Sequence, residues 1–188
     1  VTLSDINADY FMEMVELSSS TGVQRLGFSR LVPSGRGKSL LPNMLKKEKV
    51  KELYEAIISL KIDGLDIVTG DPVLSQMLSM NKKDTGSIPV DGCAAGLSGV
   101  TILQDGTITP CRRLDIPIGN IRKDSLREIW AASEVLLKLR DKKSYKGRCS
   151  SCSKWASCRG CRAIAYAYSC SKGEDDFLAE DPQCFIEE

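Results

Sequence analysis

The chain has 188 residues, 42% of them hydrophobic, with 26 basic against 25 acidic side chains and a net charge of +1. That length suits one large or two small domains with a buried core. The balanced charge gives no electrostatic case for nucleic acid or an anionic membrane, and no apolar run approaches the roughly 20 residues that span a bilayer.

The opening Val1-Thr2-Leu3-Ser4-Asp5 lacks the basic region and apolar stretch of a signal peptide. It also lacks an initiator Met, so a fragment or processed product is expected, with a cytoplasmic setting. Residues 1–80 read as α/β. Phe11, Met14, Val15 and Leu17 give a helical pattern between Asn7 and Ser20. Val23 to Val32 reads as a strand, ended by Pro33 and the turn Ser34-Gly35-Arg36-Gly37. A second helix is expected from Leu45 to Leu60. Its stripe is Val50, Leu53, Tyr54, Ile57 and Ile58, and its solvated face carries Lys46, Lys47, Lys49 and Lys51. A short strand follows at Leu65 to Val68. Helix and strand alternating with short connections predicts a parallel sheet with crossover helices. Residues 70–92 read as a polar linker, with the boundary near residue 80 and the linker proper at 81–92.

The remainder differs in style. Short β-branched runs, 99–103 and 107–109, flank Gln104-Asp105-Gly106 and predict a β-hairpin with a type I′ turn. Cys93 precedes this hairpin and Cys111 follows it, so chain reversal can bring the two together. One long helix is expected from Ser125 to about Asp141. Ser125 and Glu128 form its capping box, and Leu126, Ile129, Trp130, Leu136 and Leu137 its buried stripe. Residues 147–188 are loop-rich, apart from a short helix at Arg162 to Tyr168. A segment with so few apolar residues needs a staple, and bound metal is one.

There are eight cysteines and no histidine. They are Cys93, Cys111, Cys149, Cys152, Cys158, Cys161, Cys170 and Cys184. Eight thiols would fit four disulfides in a secreted domain, but two Cys-x-x-Cys pairs separated by five residues have metal-ligand spacing. The lack of histidine removes mixed Cys/His zinc sites. What remains is thiolate coordination of zinc or of iron–sulfur clusters. Read alone, Cys149-x2-Cys152-x5-Cys158-x2-Cys161 fits a Zn(Cys)4 knuckle, the basis of a non-enzymatic interaction module. That reading leaves four cysteines unexplained.

The full pattern resembles the SPASM domain, the auxiliary-cluster domain at the C-terminus of many radical S-adenosylmethionine (SAM) enzymes. The resemblance covers about residues 93–186. It rests on the cysteine spacing, on Pro110-Cys111 after the hairpin, and on Gly119-Asn120-Ile121 before Glu128-Ile129-Trp130. Leu139-Arg140-Asp141, Cys158-Arg159-Gly160-Cys161-Arg162-Ala163 and Ala179-Glu180-Asp181-Pro182-Gln183-Cys184 also match. Leu31 to Gly37 resembles a late strand and loop of the radical SAM partial (β/α)6 barrel. The implied architecture is α/β: the C-terminal remnant of that barrel, then a small loop-rich α+β cluster-binding domain at 93–188.

The resemblance implies two auxiliary 4Fe-4S clusters. Cys149, Cys152, Cys158 and Cys184 would hold the one further from the barrel, and Cys93, Cys111 and Cys161 would contribute to the nearer one. Cys170, within a small insertion, is either the fourth ligand of the nearer cluster or a free loop thiol. An open iron is the third option, and Asp91 is a remoter carboxylate candidate. The Cys-x3-Cys-x2-Cys triplet that chelates the SAM cluster is absent from this sequence. SAM and a third 4Fe-4S cluster would therefore belong only to the full-length parent, and this chain alone should not cleave SAM. The implied partners are the missing N-terminal barrel half, a peptide or tetrapyrrole substrate, and an electron donor such as ferredoxin or flavodoxin. The segments around Cys158 and Asp181 look closest to the haem-biosynthesis branch. Trp130 and Trp155 read as packing anchors. Arg112, Arg113 and Arg159 read either as screens for negative clusters or as ordinary surface, and Asp175, Asp176, Glu187 and Glu188 as solvated acids.

Overall fold

In a computed structural model, which describes residues 1–78, 89 and 91–186, the first half is built on three parallel strands. These are β1 (Thr2–Leu3), β2 (Arg25–Arg30) and β3 (Asp66–Thr69), adjacent in that order. Leu3 pairs with Arg30, and Leu26 with Ile67. Helices α1 (Phe11–Ser20) and α2 (Lys47–Ser59) make the two crossovers. The expected parallel α/β arrangement is present, and β1 is an addition too short to show as a pattern. In α2, Val50, Leu53, Tyr54 and Ile57 are buried at helical spacing, whereas Ile58 is 40% exposed. With Leu3, Phe11, Val15, Leu26 and Phe28 they form the first core.

Part of the expected linker is structured. Residues Pro72–Leu78 form α3, with Val73 and Leu74 buried. Asp71 Oδ1 accepts the Val73 N–H at 2.9 Å, and Pro72 opens the helix where a missing N–H has no consequence. The linker proper at 81–92 and the Glu187-Glu188 pair lie outside the described residues, except for Pro89, Asp91 and Gly92.

Beyond residue 91, β4 (Thr101–Ile102) and β5 (Thr107–Thr109) form the predicted hairpin, and β6 (Gly119–Asn120) adds a third antiparallel strand. The turn is not type I′. Only Gly106 takes a positive φ, +87°. The Leu103 N–H donates to Thr107 O at 2.8 Å, and the Gly106 N–H to Leu103 O at 2.9 Å. This is a three-residue loop with a left-handed glycine. Asp105 favours it by accepting the Thr107 N–H on its carboxylate at 2.9 Å.

The expected single long helix is two: α4 (Leu126–Ala132) and α5 (Glu134–Arg140). Ser133, at φ −60° and ψ 121°, leaves helical geometry between them. The break rotates the buried face. Ile129, Leu136 and Leu139 are buried, while Leu126, Trp130 and Leu137 are 36–49% exposed. Arg140 braces the joint, donating to Trp130 O at 2.7 Å and to Gly96 O at 2.8 Å. Ser125 caps α4 by accepting the Glu128 N–H at 3.4 Å. The short α6 (Arg148–Ser151) and α7 (Arg162–Ser171) complete the fold. A second core joins Ile108, Leu136, Leu139, Tyr145 and Trp155, and a third joins Val32, Leu114, Ile164 and two cysteines.

Candidate metal centre

Local turns decide where the thiols go. Cys149 lies in α6 and Cys152 just after it. The α6 N-terminus is tied to the last loop, because Glu180 accepts the Arg148 backbone N–H at 3.0 Å. The same loop carries Cys184, whose N–H donates to Asp181 O at 3.0 Å. Cys158 ends the 3₁₀ turn Trp155–Ser157. These four cysteines, 149, 152, 158 and 184, line one cavity of about 140 Å³.

Cys93 and Cys161 are buried in the third core, with Cys111 packed against it. The Cys93 N–H donates to Cys158 O at 3.0 Å, so the two groups adjoin. The Cys158-x2-Cys161 pair is divided between them. Arg159 and Gly160 both take left-handed backbone, φ 64° and 60°. The knuckle is held by two further bonds: Gly160 N–H to Cys158 Sγ at 3.1 Å, and Cys161 N–H to Asp181 Oδ2 at 2.8 Å. Among the described residues, no three Cys, Asp or Glu side chains converge as a single metal ion requires. The four thiols of the first group line a space.

Burial sets their acidity. It pushes the Cys161 thiol up to about 12, reinforced by Cys93. It also raises Cys149 and Cys184. Protonated thiols must lose their protons to bind metal, so loading is linked to proton release. The donor set fits iron–sulfur clusters: soft sulfur ligands in two groups, buried or half-buried, with a backbone N–H already aimed at Cys158 Sγ.

Cys170 joins neither group. It sits near the end of α7, nine residues beyond Cys161, which is about 13 Å of helical rise. It lines a separate cavity of about 500 Å³ with Tyr166, Asp175, Lys38 and Arg113. Burial raises its thiol, and Asp175 adds to that. Asp91 is exposed, and its carboxylate accepts the Gly92 N–H at 2.8 Å. Arg159 is buried rather than on the surface, as is Trp155, whereas Arg112 is exposed. Asp176 is half-buried and paired with Lys146 at 2.8 Å.

One element that sequence reasoning missed joins the sheet to the metal region. Arg30, 1% exposed, makes a bidentate pair with Asp71 at 2.7 and 2.9 Å. It makes a second with Asp181 at 2.7 and 3.0 Å, and it reaches Gln183 at 3.1 Å. Asp181 thus holds both Arg30 and the Cys161 N–H. The available signal was period two: Leu26, Phe28 and Arg30 share the inward face of β2.

Residues 93–162 match the SPASM iron–sulfur cluster-binding domain. The chain carries a SPASM domain of the radical SAM kind. It is 32% identical to the AdoMet-dependent heme synthase of Methanosarcina barkeri, over 97% of this chain and 54% of that protein. It is 27% identical to the protein of the same name from Oleidesulfovibrio alaskensis, over 97% of this chain and 49% of that one. The pre-heme d1 synthase of Dinoroseobacter shibae is 23% identical, over 98% and 50%. The chain spans about half the length of these curated relatives. No described helix is long and apolar enough to cross a membrane.

Proposed function

We propose that this SPASM chain binds two auxiliary 4Fe-4S clusters as part of a radical SAM enzyme acting on a tetrapyrrole. Cys149, Cys152, Cys158 and Cys184 hold one cluster, and Cys93, Cys111 and Cys161 hold the other, leaving a position for a further ligand or for substrate. When bound, the clusters carry electrons to or from the substrate. The observation that carries this reading is the sorting of seven buried or half-buried thiols into two adjoining groups, the first around a cavity. Residues 1–80 serve as the end of the partial barrel, joined through Arg30 to a cluster domain at 93–188, with SAM and its own cluster on the rest of the parent. The tetrapyrrole class is supported by relatives named for heme and heme d1 that match almost all of this chain. The setting is a reducing cytoplasm, with a ferredoxin or flavodoxin as electron donor.

Iron and sulfide analysis of anaerobically prepared protein tests the proposal. Brown protein is expected, with about eight of each attributable to this region. A colourless preparation with stoichiometric zinc would instead favour a Zn(Cys)4 module. In the same assay Cys158→Ala and Cys161→Ala should damage different clusters. Loss of one shared EPR signal, with the other spared, would refute the divided assignment.

A further inference from the structure

Two arginines lie inside the metal region with no carboxylate bonded to either among the described residues. Arg159 is 3% exposed and Arg162 is 1% exposed. Arg159 directs its N–H groups at carbonyls, namely Ala156 O and Cys93 O, each at 2.9 Å, and Asp91 O. Arg162 donates to Ala179 O at 2.7 Å and to Phe177 O at 3.2 Å. Each guanidinium also lies over a ring, 5.6 Å from the Trp155 centroid and 4.9 Å from that of Tyr145. Nε of Arg159 and both Nε and Nη2 of Arg162 are buried without a hydrogen-bond partner among the described residues.

Carbonyl dipoles and aromatic faces soften a buried cation without neutralising it. Among the described residues, the buried charged side chains are three arginines and two aspartates. Both aspartates, Asp71 and Asp181, are already held by Arg30. Asp181 lies within electrostatic range of Arg162 and favours its charge, but no hydrogen bond joins the two and its carboxylate is bonded to Arg30. Arg159 lines the cavity of Cys149, Cys152, Cys158 and Cys184, and it binds the carbonyl of Cys93 from the other group. Arg162 follows Cys161 in sequence and lies within electrostatic range of a thiol of each group, Cys149 and Cys93. The two cations, neither bonded to a described carboxylate, therefore stand between the two sets of thiols. A protonated thiol offers them no charge. A thiolate-bound iron–sulfur cluster is a net anion and becomes more so on reduction.

We propose that Arg159 and Arg162 are the counter-cations of the two clusters, offsetting cluster charge in a dry site and holding both reduction potentials higher than thiolate ligation alone would set them. This rests on the two-cluster reading. The arginines are positioning residues that act on the clusters through charge, and they are not ligands. Removing a positive charge disfavours the reduced, more anionic state, so the potential should fall.

The test is an EPR-monitored redox titration of the cluster-loaded full-length protein, wild type against Arg159→Met, Arg162→Met and the two Lys counterparts, with iron content measured for each. In each Met variant that loads fully, the reduced-to-oxidised ratio at fixed poise should fall on the order of tenfold, about 59 mV for a one-electron couple. The Lys variants should stay near wild type. If a Met variant fails to load, its Lys counterpart should restore loading. The inference is overturned by a fully loaded Met variant with unchanged potentials. It is equally overturned if Met and Lys variants lose iron alike, since that pattern belongs to carbonyl bracing by the guanidinium fork. Wild type without iron would instead overturn the cluster reading itself.

Discussion

Gly92 shows how closely the two cysteine groups are pressed together. Its φ is +81°, and a Cβ there would sit 2.5 Å from Cys158 O and 2.6 Å from Cys158 Cα. Those are backbone atoms, and they cannot rotate away. The segment carrying Cys93 approaches the Cys158 knuckle only because residue 92 has no side chain. Gly92→Ala should destabilise the protein by at least about 1–2 kcal/mol from backbone strain alone. It should also reduce iron retention, because the clash separates Cys93 from Cys158. Thermal unfolding and iron analysis check this, and an alanine variant matching wild type in both would show that the approach is not tight. Nothing in the sequence around Gly92 announces the contact. The glycine reads as one more linker residue until Cys158, far along the chain, is laid against it.

The elements explain why the metal region is fixed to the sheet. Arg30 ends β2 on its inward face and grips both Asp71, ahead of α3, and Asp181, in the cysteine-bearing loop. Gln183 extends the junction by donating to Leu45 O at 2.6 Å. Asp181→Asn would leave a buried guanidinium with one carboxylate fewer, a loss of about 3–5 kcal/mol when buried pairs are broken. Burial alone would push the Asp181 carboxyl up, but Arg30 overrides it and the net shift is downward. A carboxylate depressed in the folded state contributes stability that is fully present above its unfolded pKa of about 3.9 and lost as pH falls through the lower folded value. Urea unfolding of wild type and Asp181→Asn should therefore differ most near neutral pH and converge in strong acid. A gap that persists unchanged into strong acid would exclude the ion pair as its source. Such elements were unevenly legible. The α2 stripe is local and was readable, except for Ile58. The break at Ser133 was not, because Leu126, Trp130 and Leu137 continue a helical period that only packing interrupts.

At the scale of the whole molecule, the two halves are built on different principles. The β1–β3 sheet with α1 and α2 has an apolar core of its own, although Cys158 lies within it and Phe185 packs against it. The region beyond residue 91 has two smaller cores, and the third, which also takes in Val32, consists partly of thiols. Removing metal from such a region removes folding energy directly. Anaerobic chelation should thus abolish amide-exchange protection around α6, α7 and the Asp181 loop first, while β2 and α2 retain theirs. Protection lost equally in both halves, or in neither, would contradict this division.

The sequence by itself determined the alternation of helix and strand, the hairpin, and the metal-ligand spacing of its cysteines, because these depend on spacing along a few turns of chain. The cysteine pattern also carried the resemblance to the SPASM domain that the comparison of residues 93–162 bears out. Only the tertiary structure shows what brings the thiols of each group together. Cys184 meets Cys149 through a bond from Arg148 to Glu180, and two left-handed residues part Cys158 from Cys161. It alone left Cys170 apart, turned Arg30 inward against two acids, and buried Arg159 and Arg162 between the groups. Those outcomes are set by which distant segments are pressed together and by what their buried charges then find, and no local pattern encodes either.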